Sequence, residues 1–178
     1  VKAQIKIAEG EKIGNHLALP KQENIHLDGY AIQCRVTTED PLNNFMPDYG
    51  KIITYRSAAG FGVRLDAANA SAGSIITPYY DSLLVKVTTW AKNQEDCVKR
   101  MDRSLREFRI RGVKTNLVFL ESLINNKDFV EGNYNTNFVD QNKELYNYKL
   151  QKDRASKIVY YLGNIIVNGH NDIKGRER

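Results

Sequence analysis

The chain has 178 residues, and 42% of them are hydrophobic, which is enough for one sizeable core and an appended segment. Its 26 lysines and arginines exceed its 21 acidic residues, and the net charge of +5 is spread along the chain rather than gathered in a tail. This mild excess suits small anionic ligands as well as nucleic acid. No apolar run approaches the roughly 18 residues needed to cross a membrane, which argues against a membrane protein and predicts a globular one.

The first residues predict the end of an amphipathic helix that stops at Gly10, with Val1, Ile5 and Ala8 on one side. Because the sequence has no initiator methionine, we expect it to begin inside a domain and to be a fragment of a larger protein. Residues 11–28 are polar and irregular, which predicts a loop.

Alternation predicts the strands of an antiparallel sheet. Ile32, Cys34 and Val36 alternate with polar neighbours, which is typical of a half-buried strand. Clusters of proline, aspartate, asparagine and glycine predict turns after this strand. Further strands are predicted at Ile52–Tyr55, Phe61–Asp66 and Leu83–Thr89.

A change of period between Gln94 and Phe108 predicts a helix that packs on this sheet. Its apolar residues are spaced three and four apart, as on one face of a helix. A second short helix is predicted from Asn116 to Asn125. The predicted fold class is therefore α+β, with a mainly antiparallel sheet, packed helices and a separate helix near the C-terminus.

A run of basic residues begins at Lys99, on the first of the two predicted helices, and continues to Arg111. Clustered lysine and arginine side chains are typical of nucleic-acid binding. Asp102 and Glu107 interrupt the run, and no nucleic-acid motif surrounds it. We therefore interpret the run as a solvated or subunit-contacting helix face, with nucleic acid as the less favoured alternative.

The cysteines and histidines give no metal or redox motif. Cys34 and Cys97 stand in patterns where a small buried hydrophobic residue would fit. His16, His26 and His170 have no partners at metal-ligand spacing. Glycine-rich phosphate loops and serine nucleophile motifs are also missing. We predict no metal site, and a reducing, cytoplasmic setting.

Arg64 is the candidate catalytic residue. If residues 60–66 form a strand, Phe61 lies on the apolar face, while Gly62, Arg64 and Asp66 lie on the other. A guanidinium beside a residue without a side chain leaves room for a flat anionic ligand, whose oxygens match its planar fork. The alternative is an ordinary surface arginine paired with Asp66.

The last part of the chain predicts a linker and a separate helix. Gln141–Lys152 is polar, and Asp153 can cap a helix that stops at Asn168 and Gly169. We expect its apolar stripe to contact a neighbouring domain or subunit. The stripe consists of Ala155, Ile158, Val159, Leu162, Ile165 and Ile166.

Four segments in collinear order carry a resemblance to a known family: AIQCRVTTEDP at 31–41, GFGVRLD at 60–66, TPYYDSLLVK at 77–86 and RIRGVKTN at 109–116. They resemble the C-terminal lobe of a biotin carboxylase domain, in the form found in the pyruvate carboxylase family. The resemblance covers about four fifths of the chain. It implies the lobe of an ATP-grasp enzyme over residues 1–140.

Two later segments, KDRASK at 152–157 and GNIIVNG at 163–169, resemble the connector into the allosteric domain of that family. Residues 141–178 would then form a linker and the first helix of the allosteric and tetramerisation domain. Basic residues at the positions of Lys152 and Arg154 contribute to the acetyl-CoA activator region in the family. Lysine stands at 152 where arginine is more usual, and lysine cannot make a bidentate contact.

The resemblance also implies a reaction. ATP activates bicarbonate as carboxyphosphate, the ureido nitrogen of biotin takes up the carbon dioxide, and carboxyl transfer to pyruvate on another domain gives oxaloacetate. Arg64 would hold carboxyphosphate or bicarbonate oxygens and stabilise negative charge on the ureido oxygen of biotin.

The cofactors and partners follow from the same resemblance. ATP and magnesium would be bound mainly by a nucleotide lobe that this chain lacks, so the fragment alone is expected to be inactive. Biotin would arrive on another domain, because neither Met46 nor Met101 adjoins a lysine. The implied partners are bicarbonate, biotin, the rest of the same polypeptide and a further copy in a homo-oligomer, with no nucleic acid and no membrane.

Two alternatives stay open at this point. The lobe could come from another biotin-dependent enzyme such as an acyl-CoA carboxylase, although the connector argues against it. The chain could also be a basic binding or oligomerisation module without catalysis, which predicts salt-sensitive binding to polyanions.

Overall fold

The computed structural model of the chain describes residues 1–68, 70–148 and 154–170. The strands are β1 (Tyr30–Thr37), β2 (Glu39–Asp40), β3 (Met46–Pro47), β4 (Gly50–Lys51), β5 (Thr54–Arg56), β6 (Val63–Ala67), β7 (Ile75–Ile76), β8 (Leu83–Ala91) and β9 (Arg109–Arg111). The helices are α1 (Lys2–Ala8), α2 (Gln94–Glu107), α3 (Leu117–Ile124), α4 (Lys127–Glu131), α5 (Phe138–Gln141) and α6 (Arg154–Asn168). Short 3₁₀ turns occupy Gln22–Asn24, Pro41–Asn43 and Lys143–Tyr146.

A three-stranded antiparallel sheet forms the centre of the fold, with β8 between β1 and β6. The other strands form the antiparallel pairs β2 with β3, β4 with β7, and β5 with β9. The α+β class and the antiparallel sheet are therefore confirmed. The strand predicted at Ile52–Tyr55 begins two residues later, at Thr54, and Ile52 is fully buried in the core before it.

Helix α2 covers one side of the sheet, as its periodicity predicts. Asn93 caps the helix, since its side chain accepts a hydrogen bond of 2.8 Å from the amide of Asp96. Met101 and Leu105 of this helix are at most 1% exposed, and they pack in one core with Val87 of β8. Burying an apolar side chain of this size contributes about 2 kcal/mol to folding. Because α2 packs on this side of the sheet, the opposite side is the one that remains open.

A second buried cluster joins α3 to the segment that follows α5. Phe119 and Phe138 pack with Leu145, which is 2% exposed, and the rings of Phe119 and Tyr146 lie 5.2 Å apart. The predicted linker is therefore wrong over residues 143–148, because these apolar side chains bury themselves against the domain despite polar neighbours. The proposed domain boundary after Asp140 stays a prediction.

Helix α6 confirms the predicted C-terminal helix, and Gly169 follows it with a φ of +74°. The predicted cap, Asp153, lies outside the described residues. Ile158 and Leu162 are about half exposed, and Ile166 is 82% exposed. A partner for this apolar stripe stays a prediction.

The N-terminal helix is also present, as α1, and none of its residues is buried. The segment after it is irregular apart from one 3₁₀ turn, as predicted. Within the described residues, we find no helix that is both long and apolar enough to cross a membrane.

Both cysteines are free and buried, as their sequence patterns predict. Burial raises the pKa of the Cys34 thiol to about 12. The thiolate reacts with thiol reagents, so the raised pKa lowers the reactive fraction about a thousandfold at neutral pH. We expect a chromogenic disulfide reagent to leave Cys34 unmodified in the folded protein and to titrate both thiols in urea. Rapid modification of Cys34 without denaturant would contradict this burial.

Candidate functional site on the open sheet face

The central sheet has one packed side and one side without a covering helix among the described residues. Cys34, Leu65 and Val87 stand on the packed side, towards α2. We call the other side the open face. It carries six polar side chains, which are Gln33, Arg35, Arg64, Asp66, Lys86 and Thr88.

Strand register arranges these six side chains in two rows across the open face. The rows are Gln33–Thr88–Arg64 and Arg35–Lys86–Asp66. In the first row, the side-chain amide of Gln33 donates to the hydroxyl of Thr88 at 3.0 Å. In the second, Arg35 also reaches Asp81, at 3.3 Å. Three cations against two carboxylates leave this surface mildly positive, which favours an anionic ligand.

Arg64 is bound on one edge only. Its Nε lies 3.1 and 3.0 Å from Oδ1 and Oδ2 of Asp66, and its Nη2 lies 2.8 Å from Oδ1. This hydrogen bonding raises the pKa of the Arg64 guanidinium, which is charged at any physiological pH. Among the described residues, no hydrogen bond occupies Nη1. The Nη1–Nη2 edge of the fork therefore remains available for the two oxygens of a carboxylate or phosphate.

The pairing of Arg64 with Asp66 was the alternative interpretation of the sequence, and it is observed. It does not remove the site, because the side chain of Arg64 is still 77% exposed. The ion pair and an anion can use different edges of the same guanidinium. The role of Arg64 in catalysis stays a prediction.

The glycine turn before β6 differs from the sequence prediction. The strand begins at Val63, and Phe61 is 99% exposed in the turn rather than packed on the apolar side. Gly62 has a φ of +72°, and a Cβ there would lie 2.7 Å from the carbonyl oxygen of Trp90 and would collide with the Arg100 guanidinium. Glycine is therefore needed here for backbone packing, and the predicted role of making room for a ligand is wrong.

Trp90 holds this turn in place through its backbone. Its amide donates to the carbonyl of Gly62 at 2.9 Å, and its own carbonyl accepts a hydrogen bond from Arg100. Its indole N–H donates to the carbonyl of Asp28 at 3.0 Å, just before β1. The end of β8 thus links β1, the glycine turn and α2, and fixes the start of the strand that carries Arg64.

Replacing Gly62 with alanine is expected to lower the free energy of unfolding by about 3 kcal/mol, because a left-handed φ and a backbone collision act together. Gly73→Ala is the matched control, since Gly73 has a φ of +93° but open space where its Cβ would lie. It should cost about 1 kcal/mol. Equal losses in urea denaturation of the two variants would contradict the packing described for Gly62.

Three of the six basic residues between positions 99 and 111, which are Lys99, Arg103 and Arg106, are paired with acids. Lys99 bonds Glu95 at 2.6 Å, and Arg106 bonds Asp102 at 2.8 Å and approaches Glu121 at 3.8 Å. Burial raises the pKa of the Glu121 carboxyl, against the lowering effect of Arg106. These pairs leave less free positive charge than the sequence count indicates, which supports the interpretation as a solvated helix face.

The remaining predicted site residues belong to the last part of the sequence. Lys152 lies outside the described residues, and Arg154 begins α6, where only its backbone is described. In the described part of the chain, no group of three or more histidine, cysteine or acidic side chains could hold a metal ion. Lys86 and Gln33 were not singled out from the sequence, because only the cross-strand register places them on the same open face as Arg64.

Lys114 makes a second set of polar contacts, with two aspartates in the turns that follow β1. Lys114 Nζ lies 2.6 Å from Asp40, and the Lys114 amide donates to Asp48 at 2.6 Å. The hydrogen bond from Lys114 is the main cause that holds the pKa of the Asp40 carboxyl below its usual range. Both contacts join residues that lie far apart in the sequence, and they anchor residues 40–48 beside the segment between β9 and α3.

Comparison with known proteins decides the family. Residues 33–141 match the model of the biotin carboxylase C-terminal domain. The chain belongs to this family. The chain is also 51% identical, over its whole length, to pyruvate carboxylase from Bacillus subtilis, of which it covers 16%. It is 50% identical to human mitochondrial pyruvate carboxylase over 95% of this chain and 14% of that protein.

Solved structures resemble the chain in fold. A complete multifunctional pyruvate carboxylase from Rhizobium etli matches 99% of this chain with a TM-score of 0.75 and 54% identity, over 17% of that protein. The biotin carboxylase domain of the 2-oxoglutarate carboxylase from Hydrogenobacter thermophilus matches 83% of this chain and 31% of its own, with a TM-score of 0.71 and 39% identity. The chain thus spans about a sixth of the length of its pyruvate carboxylase relatives.

Proposed function

We propose that this chain is the C-terminal lobe of the biotin carboxylase domain in a pyruvate carboxylase, and that it takes part in the ATP- and bicarbonate-dependent carboxylation of biotin. The identity of about 50% to pyruvate carboxylases from bacteria and mitochondria supports the choice of enzyme. The observation that carries the proposed site is the exposed guanidinium of Arg64, with one edge paired and one edge available.

Arg64 fits the electrostatic demands of the first half-reaction. Bicarbonate and its phosphorylated form present planar groups of oxygen atoms, which match two parallel N–H donors of a guanidinium. Biotin, when bound, supplies the ureido nitrogen that accepts the carboxyl group. Arg64 would hold the anion and stabilise the negative charge that develops during transfer, and this effect is strongest when the site is closed to water.

The rest of the site would come from outside this lobe. By resemblance to the family, ATP and magnesium are assigned to another lobe of the same polypeptide, and the chain itself contains no glycine-rich phosphate loop. The open face would then meet that lobe, with Arg64 at the junction. Biotin is assigned to another domain because neither methionine of this chain adjoins a lysine, as a biotin attachment site requires.

Three further parts of the proposal concern regulation, assembly and location. Lys152 and Arg154 are assigned to the acetyl-CoA activator region of the complete enzyme. A homo-oligomer formed through the biotin carboxylase domain is the proposed assembly. The two free, buried cysteines support a reducing compartment, and the cytoplasm is the one proposed.

The substrate of the second half-reaction is tested in the full-length protein. We expect ATP- and bicarbonate-dependent carboxylation of pyruvate, followed as oxaloacetate with a coupled dehydrogenase. Acetyl-CoA and 2-oxoglutarate serve as alternative carboxyl acceptors in matched assays. Carboxylation of either acceptor in place of pyruvate would overturn the assignment to a pyruvate carboxylase, although biotin carboxylation itself would stand.

A further inference from the structure

We propose that Asp66 is a positioning residue for Arg64: it holds one edge of the guanidinium so that the other edge is presented to the anionic substrate. The inference rests on the proposed function of this lobe in biotin carboxylation. It assigns a role to the contact between Arg64 and Asp66, for which the sequence alone indicated an ordinary surface ion pair.

The geometry of the contact carries the inference. A guanidinium has one N–H on Nε and two on each terminal nitrogen. Asp66 accepts hydrogen bonds from Nε and Nη2, which lie on the same edge, at distances between 2.8 and 3.1 Å. Both N–H groups of Nη1 and the outer N–H of Nη2 remain, and one N–H from each nitrogen forms an end-on fork that can bind two oxygens of a carboxylate or phosphate.

The strand sets this contact independently of any ligand. Arg64 and Asp66 are two residues apart on β6, so their side chains emerge on the same face of the sheet. Val63 and Leu65, on the opposite side, pack against the core and hold the backbone between them. The carboxylate is therefore placed by the fold, and the long, flexible arginine is fixed by the carboxylate.

The neighbours of the pair leave Arg64 dependent on Asp66. Across the ladder, Arg64 faces the hydroxyl of Thr88, while Asp66 faces Lys86. Among the described residues, Asp66 is the one carboxylate within ion-pair distance of Arg64. Without Asp66, the arginine would sample many rotamers, and two cations would stand on adjacent strands without the acid that separates them.

Because the pair is exposed, its loss should affect the reaction rate without affecting the stability of the fold. The side chains of Arg64 and Asp66 are 77% and 41% exposed, and exposed ion pairs add little to folding. Loss of Asp66 should therefore leave the melting temperature almost unchanged. A misplaced catalytic group, by contrast, lowers the rate steeply even when the fold is intact.

The test uses the full-length protein, with bicarbonate-dependent cleavage of ATP in the presence of free biotin as the assay. We expect Asp66→Asn to lower kcat about tenfold, with the KM for ATP and the melting temperature unchanged. Asp66→Glu keeps the carboxylate, and it should recover activity to within about threefold of the wild type. Glu131→Gln is the matched control, because it removes an exposed ion pair with Lys127 on α4, away from the open face.

A double-mutant cycle shows whether Asp66 acts through Arg64. In a protein that already carries Arg64→Lys, adding Asp66→Asn should cause no further fall in kcat, because the fork that Asp66 orients is gone. An additive fall, or an Asp66→Asn protein with wild-type kcat, would overturn the positioning role while leaving biotin carboxylation in place. If the wild-type protein shows no cleavage of ATP that depends on both bicarbonate and biotin, the proposed function fails, and the positioning role fails with it.

Discussion

Arg64→Lys in the full-length protein is expected to lower kcat for biotin-dependent ATP cleavage by about a hundredfold. Lysine keeps the positive charge, but its ammonium is a point charge that cannot offer two parallel donors to a planar anion. It also loses the contact of two adjacent nitrogens by which Asp66 holds one edge of the guanidinium at 2.8–3.1 Å. The change therefore removes both the fork and its orientation. The rates are measured at saturating ATP with bicarbonate and biotin varied.

The control for Arg64→Lys is the second half-reaction. Decarboxylation of oxaloacetate takes place on another domain in the proposed enzyme, so it should proceed at the wild-type rate and report intact folding and assembly. Unchanged ATP cleavage in the variant would show that Arg64 is a surface arginine paired with Asp66, and that the candidate site lies elsewhere.

Leu105→Ala is expected to lower the free energy of unfolding by about 3 kcal/mol. Leu105 is 1% exposed on α2, where it packs in the core beneath the central sheet. Its truncation leaves a cavity that the neighbouring strands cannot fill without disturbing their hydrogen bonds. Urea denaturation of this chain, followed by far-ultraviolet circular dichroism, measures the loss.

Leu27→Ala is the matched control for this core substitution, because Leu27 is 96% exposed and loses the same atoms. It should change the free energy of unfolding by less than about 0.5 kcal/mol. Comparable losses in the two variants would contradict the packing of α2 against the sheet.

The sheet and α2 could be predicted from the sequence because their patterns are local and unambiguous. Ile32, Cys34 and Val36 alternate along β1, and the apolar residues of α2 keep a helical spacing over four turns. The free side of the sheet follows directly from this alternation, which is why Arg64 could be placed on it.

The errors arose where distant contacts outweigh the local pattern. Phe61 continues the alternation of β6, yet the turn before the strand is fixed by Trp90 and Arg100, about thirty and forty residues away in the sequence. Leu145 stands in a polar stretch that resembles a linker, but it completes an aromatic cluster with Phe119. Neither partner can be identified from the local sequence.

The site was predicted only in part for the same reason. Alternation places Arg64 and Asp66 on one face, but it does not show which edge of the guanidinium the carboxylate occupies. The positions of Lys86 and Gln33 depend on the register between strands that lie far apart in the chain. Register is set by the whole packed sheet and not by the residues of one strand.

The proposed role of this lobe is to complete a site for the carboxylation of biotin, and the most direct test follows the carbon of bicarbonate into biotin. The full-length protein is incubated with radiolabelled bicarbonate, free biotin and ATP, and the label in acid-labile carboxylated biotin is counted. We predict labelling that requires ATP and falls about a hundredfold in the Arg64→Lys protein. Labelling that is absent from the wild-type protein, or equal in the two proteins, would contradict the account.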